Sequence, residues 1–586
     1  MRLSKSRVVA GAACRRLLWL RVHAKDAPEL QPTAAQLALF AAGHRVGDAA
    51  QRCLREAHGE DGVLIDGPTM PGGLTRMVDE TRRAIDGGAR VVFEASFVHD
   101  GVFVAVDALV KCDDVEDDAS WVAVEVKGTA RVKPEHVLDV ATQLWVLNGA
   151  GIRVRGAEVM HMDADYRTTG SGASGSVECA AFARTDVLAE AAEREADVGD
   201  LVASLHSVLE GPMPTECGIG AGAVSGCVCE HVVAGIADRA DDGPTTATAD
   251  VDAIDDVRRL YRLGKKSKAT LAAARVSQIS RIPADFKLPP IAARQRDCVV
   301  RAVEAGRSDG ASDAGLFIDR AAVLAELAQC ALPAAFLDFE AINPALSPPR
   351  WAECAPFQQL PVQASLHTLR VHAAETAAAT EAAEAEAEGG GALTLASAAL
   401  ERRVALRHDA FLAPSDCAAR DPRPELAEWL LEACGDARTL LAYSASFESR
   451  AIEQLAQRAS NATVATELRA LATRVVDLLP IVRKHVYHPR FNGSFSLKSV
   501  LPALIPAAAA AGAAAGSDGA PSYSALAVAN GADAAAHLEA LLLRGEPSDA
   551  TARAKLRREL LEYCATDTLA LVALSHRLRD LALAAV

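Results

Sequence analysis

Two carboxylates stand two residues apart in the apolar run AAFLDFEAINPALSPPR, residues 334–350. Side chains alternate faces along a strand, so Asp338 and Glu340 are expected to point the same way. Two like charges held together raise each other's pKa and need a cation or solvent beside them. Such a strand ends at a wet surface or at a metal. Partners follow downstream. TLLAYSASFESRAIEQLA reads as a short strand, a serine-containing turn and a helix with Glu448 in its first turn. LRRELLEYCATDTLALVALSHRL reads as a long amphipathic helix with Tyr563 and Asp567 four apart on one face. The carboxylates of Asp338, Glu340, Glu448 and Asp567 suffice to hold two divalent ions, Mg²⁺ or Mn²⁺, for in-line phosphoryl chemistry, with the Tyr563 hydroxyl orienting the attacking water. The intervening VVDLLPIVRKHVYHPRFNGSFSLKSVLPAL adds Asp477 and a basic, aromatic cluster including Arg490 and Lys498, suited to a nucleic-acid strand.

A second group lies near the N-terminus. In GVFVAVDAL, Val102, Val104 and Val106 face one way and Phe103, Ala105 and Asp107 the other; in WVAVEVKG, Glu125 and Lys127 share a face with Ala123. Adjacent strands would place two carboxylates and an ammonium around one point. Asp107 and Glu125 would hold a divalent ion that activates water, and Lys127 would steady the hydroxide or the developing phosphate charge. An isolated E-x-K is more often a solvated hairpin edge. Here the string D-x17-E-x-K is followed by a helix carrying Gln143.

That order resembles the RecB-like branch of the PD-(D/E)XK nucleases over roughly residues 5–235. The resemblance implies that Asp107, Glu125 and Lys127 bind metal and catalyse, and that Gln143 supports them. Members of this branch often carry an iron–sulfur cluster held by one early cysteine and three late ones. Carried over, Cys14, Cys217, Cys227 and Cys229 would hold a [4Fe–4S] cluster. The spacing CGIGAGAVSGCVC departs from the usual layout, and a zinc site or a lost site fits that departure as well.

The later group resembles the DEDD 3′–5′ exonucleases of the ribonuclease H-like fold, in the variant whose last motif is Y-x3-D. Asp338 and Glu340 correspond to motif one, Glu448 to the motif-two aspartate, and Tyr563 and Asp567 to motif three. Glutamate at 448 departs from that pattern. In PFQQLPVQASLHTL, which reads as the next strand, Gln363, Ser365 and His367 share a face. The whole pattern, D-F-E-x-I-N-P then P-F-Q-Q-x-P-x-Q-x-S-L-H, resembles an uncharacterised bacterial family that fuses a RecB-like nuclease domain to a C-terminal domain of unknown function.

The elements that must position these residues give an α/β multidomain chain. We expect a PD-(D/E)XK restriction-endonuclease-like domain over 1–235, an acidic linker and helical segment over 236–330, and a ribonuclease H-like DEDD exonuclease domain over 331–586. The turn His99-Asp100-Gly101 signals a hairpin. PEHVLDVATQLWVLNGAG predicts a helix, RGAEVMHMDADY a strand, and 182–210 a helix. ADRADDGPTTATADVDAIDD reads as linker, and the Ala-rich stretches 373–394 and 506–522 as surface insertions without chemistry.

At 586 residues the chain is too long for one core. No apolar run reaches the ~20 residues that span a bilayer, and the arginine-interrupted start makes a poor signal peptide, so no membrane association and a cytoplasmic location are expected. The formal charge of −16 argues against a uniformly basic surface. Most of the 13 cysteines sit in helical patterns as small buried hydrophobes. The expected activity is metal-dependent hydrolysis of nucleic acid, DNA in preference to RNA, at two sites. The alternative is a nucleic-acid-binding or scaffold protein whose sites no longer turn over.

Overall fold

The computed structural model describes residues 3–59, 62–69, 73–112, 120–172, 176–217, 227–229, 232–233, 254–305, 314–371, 393–397, 400–505, 526–528 and 530–584. The protein is mixed α/β and divides into two compact units. Unit 1 comprises residues 1–242 and 343–359; unit 2 comprises 243–342 and 360–586. No helix among the described residues is long and apolar enough to cross a membrane.

Unit 1 is built on one sheet. Its strands are β1 (Leu3–Ser4), β2 (Val63–Leu64), β3 (Val91–His99), β4 (Val102–Lys111), β5 (Ser120–Lys127), β6 (Arg153–Met162) and β7 (Phe182–Asp186), in the order β2-β3-β4-β5-β6-β7 with β1 beside β4. The β3–β4 hairpin turns through Asp100 (φ 43°) and Gly101 (φ 75°), the paired positive angles of a turn that follows the natural strand twist. β4 and β5 are antiparallel, whereas β5 and β6 are parallel. A parallel pair needs a crossover, supplied by the helix Pro134–Gly149.

Along β4 the valines alternate into the core and leave Asp107 half-buried on the other face, as the pattern predicts. The helices Lys5–Ala13 and Arg15–His23, here α1 and α2, meet at Cys14. The expected helix over 182–210 begins only at Leu188: Phe182–Asp186 pairs with β6, and the Asp186 carboxylate accepts from the Leu188 amide where the helix starts. The segment 343–359 packs in unit 1 through fully buried Trp351 and through Thr168, whose backbone oxygen and hydroxyl accept from the amides of Glu353 and Cys354. Two of the cysteines expected as thiols, Cys53 and Cys179, form a disulfide.

Unit 2 holds a five-stranded sheet of β9 (Ala334–Ile342), β10 (Leu360–Val371), β11 (Val404–Leu412), β12 (Thr439–Ala442) and β13 (Val475–Asp477), ordered β11-β10-β9-β12-β13. The first three strands are antiparallel neighbours, and β12 runs parallel to both β9 and β13. A separate pair joins β8 (Phe317–Ile318) to β14 (Val486–Tyr487). The 34-residue helix Ala550–Leu583 covers the face of β9 and β10 that carries the motif residues. Its Leu560 carbonyl accepts from Gln363, and Thr568 bonds both Ser365 and His367. Those three strand residues share one face, as expected from their spacing.

Helices Lys265–Ala273, Pro290–Glu304 and Arg320–Leu327 occupy the expected helical segment and belong to unit 2. The linker residues 237–253 and the insertions, apart from Leu393 and Thr394, lie outside the described residues.

Gly493 precedes the helix Leu497–Leu504 and has φ 72°; a Cβ there would lie 1.8 Å from the Arg259 carbonyl oxygen. Gly493→Ala is therefore expected to destabilise unit 2 by more than about 1 kcal/mol, read from its thermal midpoint by far-UV circular dichroism. An unchanged midpoint would show that this backbone is not held as described.

Candidate functional site

In unit 2, β9 turns Asp338 and Glu340 to the face that β10 also presents: Asp338 pairs with Ser365 and Glu340 with Gln363. The long helix brings Asp567 to them. Carboxylate oxygens of Asp338, Glu340 and Asp567 all lie within 4.8 Å of one another. Burial, then Asp567, Glu340 and Glu448, pushes Asp338 well above the carboxylate range. Burial and Asp567 raise Glu340 to about 8, against the opposing charge of Lys498.

Glu448 stands in the first turn of the helix Ser446–Gln457. It lies outside the trio but close enough for its charge to raise both β9 carboxylates. It is 4% exposed, its Oε2 has no hydrogen-bond partner among the described residues, and burial raises it to about 7. An orphaned buried carboxylate oxygen beside three crowded carboxylates is an arrangement that could hold a divalent cation.

Tyr563 is buried above this group. Burial, then Asp567, Glu340 and Asp338, keeps its hydroxyl protonated well beyond its usual range. Lys498 donates to that hydroxyl at 3.4 Å, its Nζ 5.1 Å from the ring centroid. Arg490 is exposed in the turn Pro489–Phe491. Asp477 is structural: its Oδ1 accepts from the amides of Ser444 and Leu479, holding the turn after β12, where Ser444 has φ 66°. Two residues escaped the sequence reading. Cys564 donates to Asp338 Oδ2 at 3.3 Å, and Thr568 anchors the long helix on β10. Both flank Tyr563 and Asp567, so the helix register could have found them.

In unit 1 the four expected residues also converge. Asp107 accepts from the Val126 amide at 2.6 Å, Lys127 reaches Glu125 at 2.7 Å, and Gln143 donates to Glu125 at 2.5 Å. Three further groups join them. Lys5, from the start of α1, contacts both Glu125 oxygens at 2.8 Å. Asp139 takes Lys127 at 2.6 Å. Glu94, at φ 55° inside β3, is placed opposite Asp107 by the register. A non-glycine residue at such an angle in a strand is strained backbone of the kind found at functional sites. Burial and Glu125 raise Asp107 to about 7. Burial opposes ionisation of Glu125 as well, but Lys5 and Lys127 outweigh it and lower Glu125 to about 2. Asp139 precedes Gln143 by one helical turn and was findable on that face; nothing in the spacing marks Lys5.

The four cysteines singled out also meet: their sulfurs lie within 4.8 Å of one another, Cys14, Cys227 and Cys229 being buried. Burial and the neighbouring thiols hold Cys229 far above the usual thiol range.

Residues 335–496 match the family described as Domain of unknown function (DUF2779). That stretch contains Asp338, Glu340 and Glu448 and stops before Lys498, Tyr563 and Asp567. No curated protein and no solved structure matches the chain.

Proposed function

We propose that unit 2 is a divalent-metal-dependent nuclease that trims nucleic acid from a 3′ end, with DNA as the preferred substrate. The observation that carries this reading is the crowding of Asp338, Glu340 and Asp567, with the unpartnered oxygen of Glu448 nearby. These four carboxylates would hold Mg²⁺ or Mn²⁺. A bound divalent ion supplies charge neutralisation and water activation for phosphodiester hydrolysis. Tyr563 keeps its proton and can hold a water in place, and Lys498 offers positive charge to a phosphate. The sheet order, with the D-x-E strand central and the glutamate helix following the next parallel strand, supports a ribonuclease H-like reading.

For unit 1 the sheet and the D…E-x-K geometry support a PD-(D/E)XK reading. The donor set does not fit a cation as it stands, because Lys5, Lys127 and Gln143 already engage both Glu125 oxygens. That engagement favours a second reading for unit 1 alone: it binds nucleic acid without cleaving it.

The test is an assay with end-labelled single- and double-stranded DNA and RNA in Mn²⁺. Wild type is compared with Lys127→Ala, Asp338→Ala and the double variant. Loss of 3′ trimming in Asp338→Ala but not in Lys127→Ala supports the reading. A wild type that cleaves nothing, or four proteins of equal activity, rejects it.

Protons and cation compete for the same carboxylates, so Mn²⁺ affinity should depend on pH. Glu340 is raised from 4.5 to about 8 and Glu448 from 4.5 to about 7, so the metal-free folded protein holds protons that the unfolded chain releases in this window. Stability from these two groups is intact below about 4.5 and declines as pH rises toward about 8. Mn²⁺ binding should therefore tighten across the same window and release protons. Calorimetric titrations in buffers of differing ionisation enthalpy measure both, and a pH-independent affinity would contradict the shared site.

A further inference from the structure

We propose that Cys14, Cys217, Cys227 and Cys229 bind a single zinc ion tetrahedrally, as a structural clasp in unit 1, rather than the [4Fe–4S] cluster that the cysteine order suggests. The Sγ separations decide between them. Cys14 lies 3.8 Å from Cys217 and 3.8 Å from Cys229, and Cys217 lies 3.4 Å from Cys229. Four sulfurs roughly 2.3 Å from one central ion form a tetrahedron with edges of roughly 3.8 Å. In a four-iron cluster each thiolate binds a different iron, so the sulfurs must stand apart by the width of the enclosed cube and its outward bonds. No such opening separates these. All four sulfurs, that of Cys227 included, lie within 4.8 Å of one another.

The surroundings suit a structural ion. Leu20 and Val232 pack with Cys14, Cys227 and Cys229 in one buried apolar cluster, with Cys217 half-buried at its edge. The Leu17 amide donates to Cys14 Sγ, the kind of outer contact that stabilises a bound thiolate. The clasp also has leverage. Cys14 ends α1, and Lys5, which engages Glu125, begins it. Cys217, Cys227 and Cys229 follow the helix Leu188–Glu210, to whose end α2 is tied by Trp19 on Gly211 and His23 on Leu209. As zinc binds, the thiols release their protons and become thiolates.

The test is purification of the full chain without oxygen, from cells supplied with both iron and zinc, so that an oxygen-labile cluster would survive. Metals are measured by plasma mass spectrometry alongside labile sulfide. We expect one zinc per chain and no labile sulfide, with zinc lost in Cys227→Ser and retained in Cys112→Ser. Should Cys227→Ser be insoluble, wild type loaded with Co²⁺ should show the intense visible absorption of a tetrahedral thiolate site. Iron with or without labile sulfide, a metal-free wild type, zinc retained in soluble Cys227→Ser, or a weak octahedral cobalt spectrum overturns the proposal.

Discussion

Asp338→Asn is expected to abolish metal-dependent 3′ trimming while leaving the metal-free protein at least as stable as wild type. Asparagine has nearly the same shape as aspartate, so β9 keeps its packing and its register with Ser365. What goes is one anionic donor from the trio. If the ion's contribution to hydrolysis is about 4 kcal/mol, the loss is roughly a thousandfold in rate. The stability effect has the opposite sign because Asp338 is buried against Asp567, Glu340 and Glu448 and is hard to ionise there. A neutral amide removes that cost. Loss of activity with gain of metal-free stability marks a site whose crowding serves ion binding. An ordinary structural carboxylate would lose both or neither. The measurement pairs initial rates on an end-labelled strand with thermal melting in chelator. Activity within tenfold of wild type, or a lowered midpoint in chelator, would remove Asp338 from the proposed role.

The residues legible in the sequence were those whose relationship is local. Asp338 and Glu340 share a face because strands alternate. Tyr563 and Asp567 share one because helices repeat about every four residues. The β3–β4 turn is fixed by Asp100-Gly101. Contacts made across the chain left no such trace. Lys5 meets Glu125 across 120 positions, and no periodicity links the two. Likewise the 343–359 segment follows β9 directly yet packs with unit 1, its Trp351 buried and its backbone paired to Thr168. β7 was hidden for a different reason: FARTD is short and mostly exposed, so its pairing with β6 is set by the backbone ladder and not by burial. Glu94 went unmarked because a positive φ inside a strand is invisible to side-chain pattern.

Glu125→Ala is expected to destabilise unit 1 by about 3–5 kcal/mol, the penalty for breaking a buried ion pair from one side. Glu125 is 2% exposed and accepts from Lys5, Lys127 and Gln143. After truncation Lys127 still has Asp139 at 2.6 Å, but Lys5 loses both of its 2.8 Å contacts. Lys5 then remains as the under-compensated charge beside the core. Guanidinium unfolding followed by tryptophan fluorescence isolates the effect, because Trp19, Trp121, Trp145 and Trp351 lie in unit 1 and only Trp429 in unit 2. The paired variant Lys5→Met with Glu125→Ala should recover much of the loss, since it removes the stranded charge and keeps an apolar chain of similar length. If Glu125→Ala unfolds at the wild-type midpoint, the Lys5 bridge is not formed in solution. The same bridge bears on chemistry. Lys5→Met leaves each Glu125 oxygen with one donor in place of two, Lys127 on Oε1 and Gln143 on Oε2, and takes a positive charge from the group. An Asp338→Asn, Lys5→Met chain should therefore bind Mn²⁺ more tightly at unit 1 than Asp338→Asn does. That gain would identify Lys5 as the group a cation must displace, and its absence would leave unit 1 with the binding role alone.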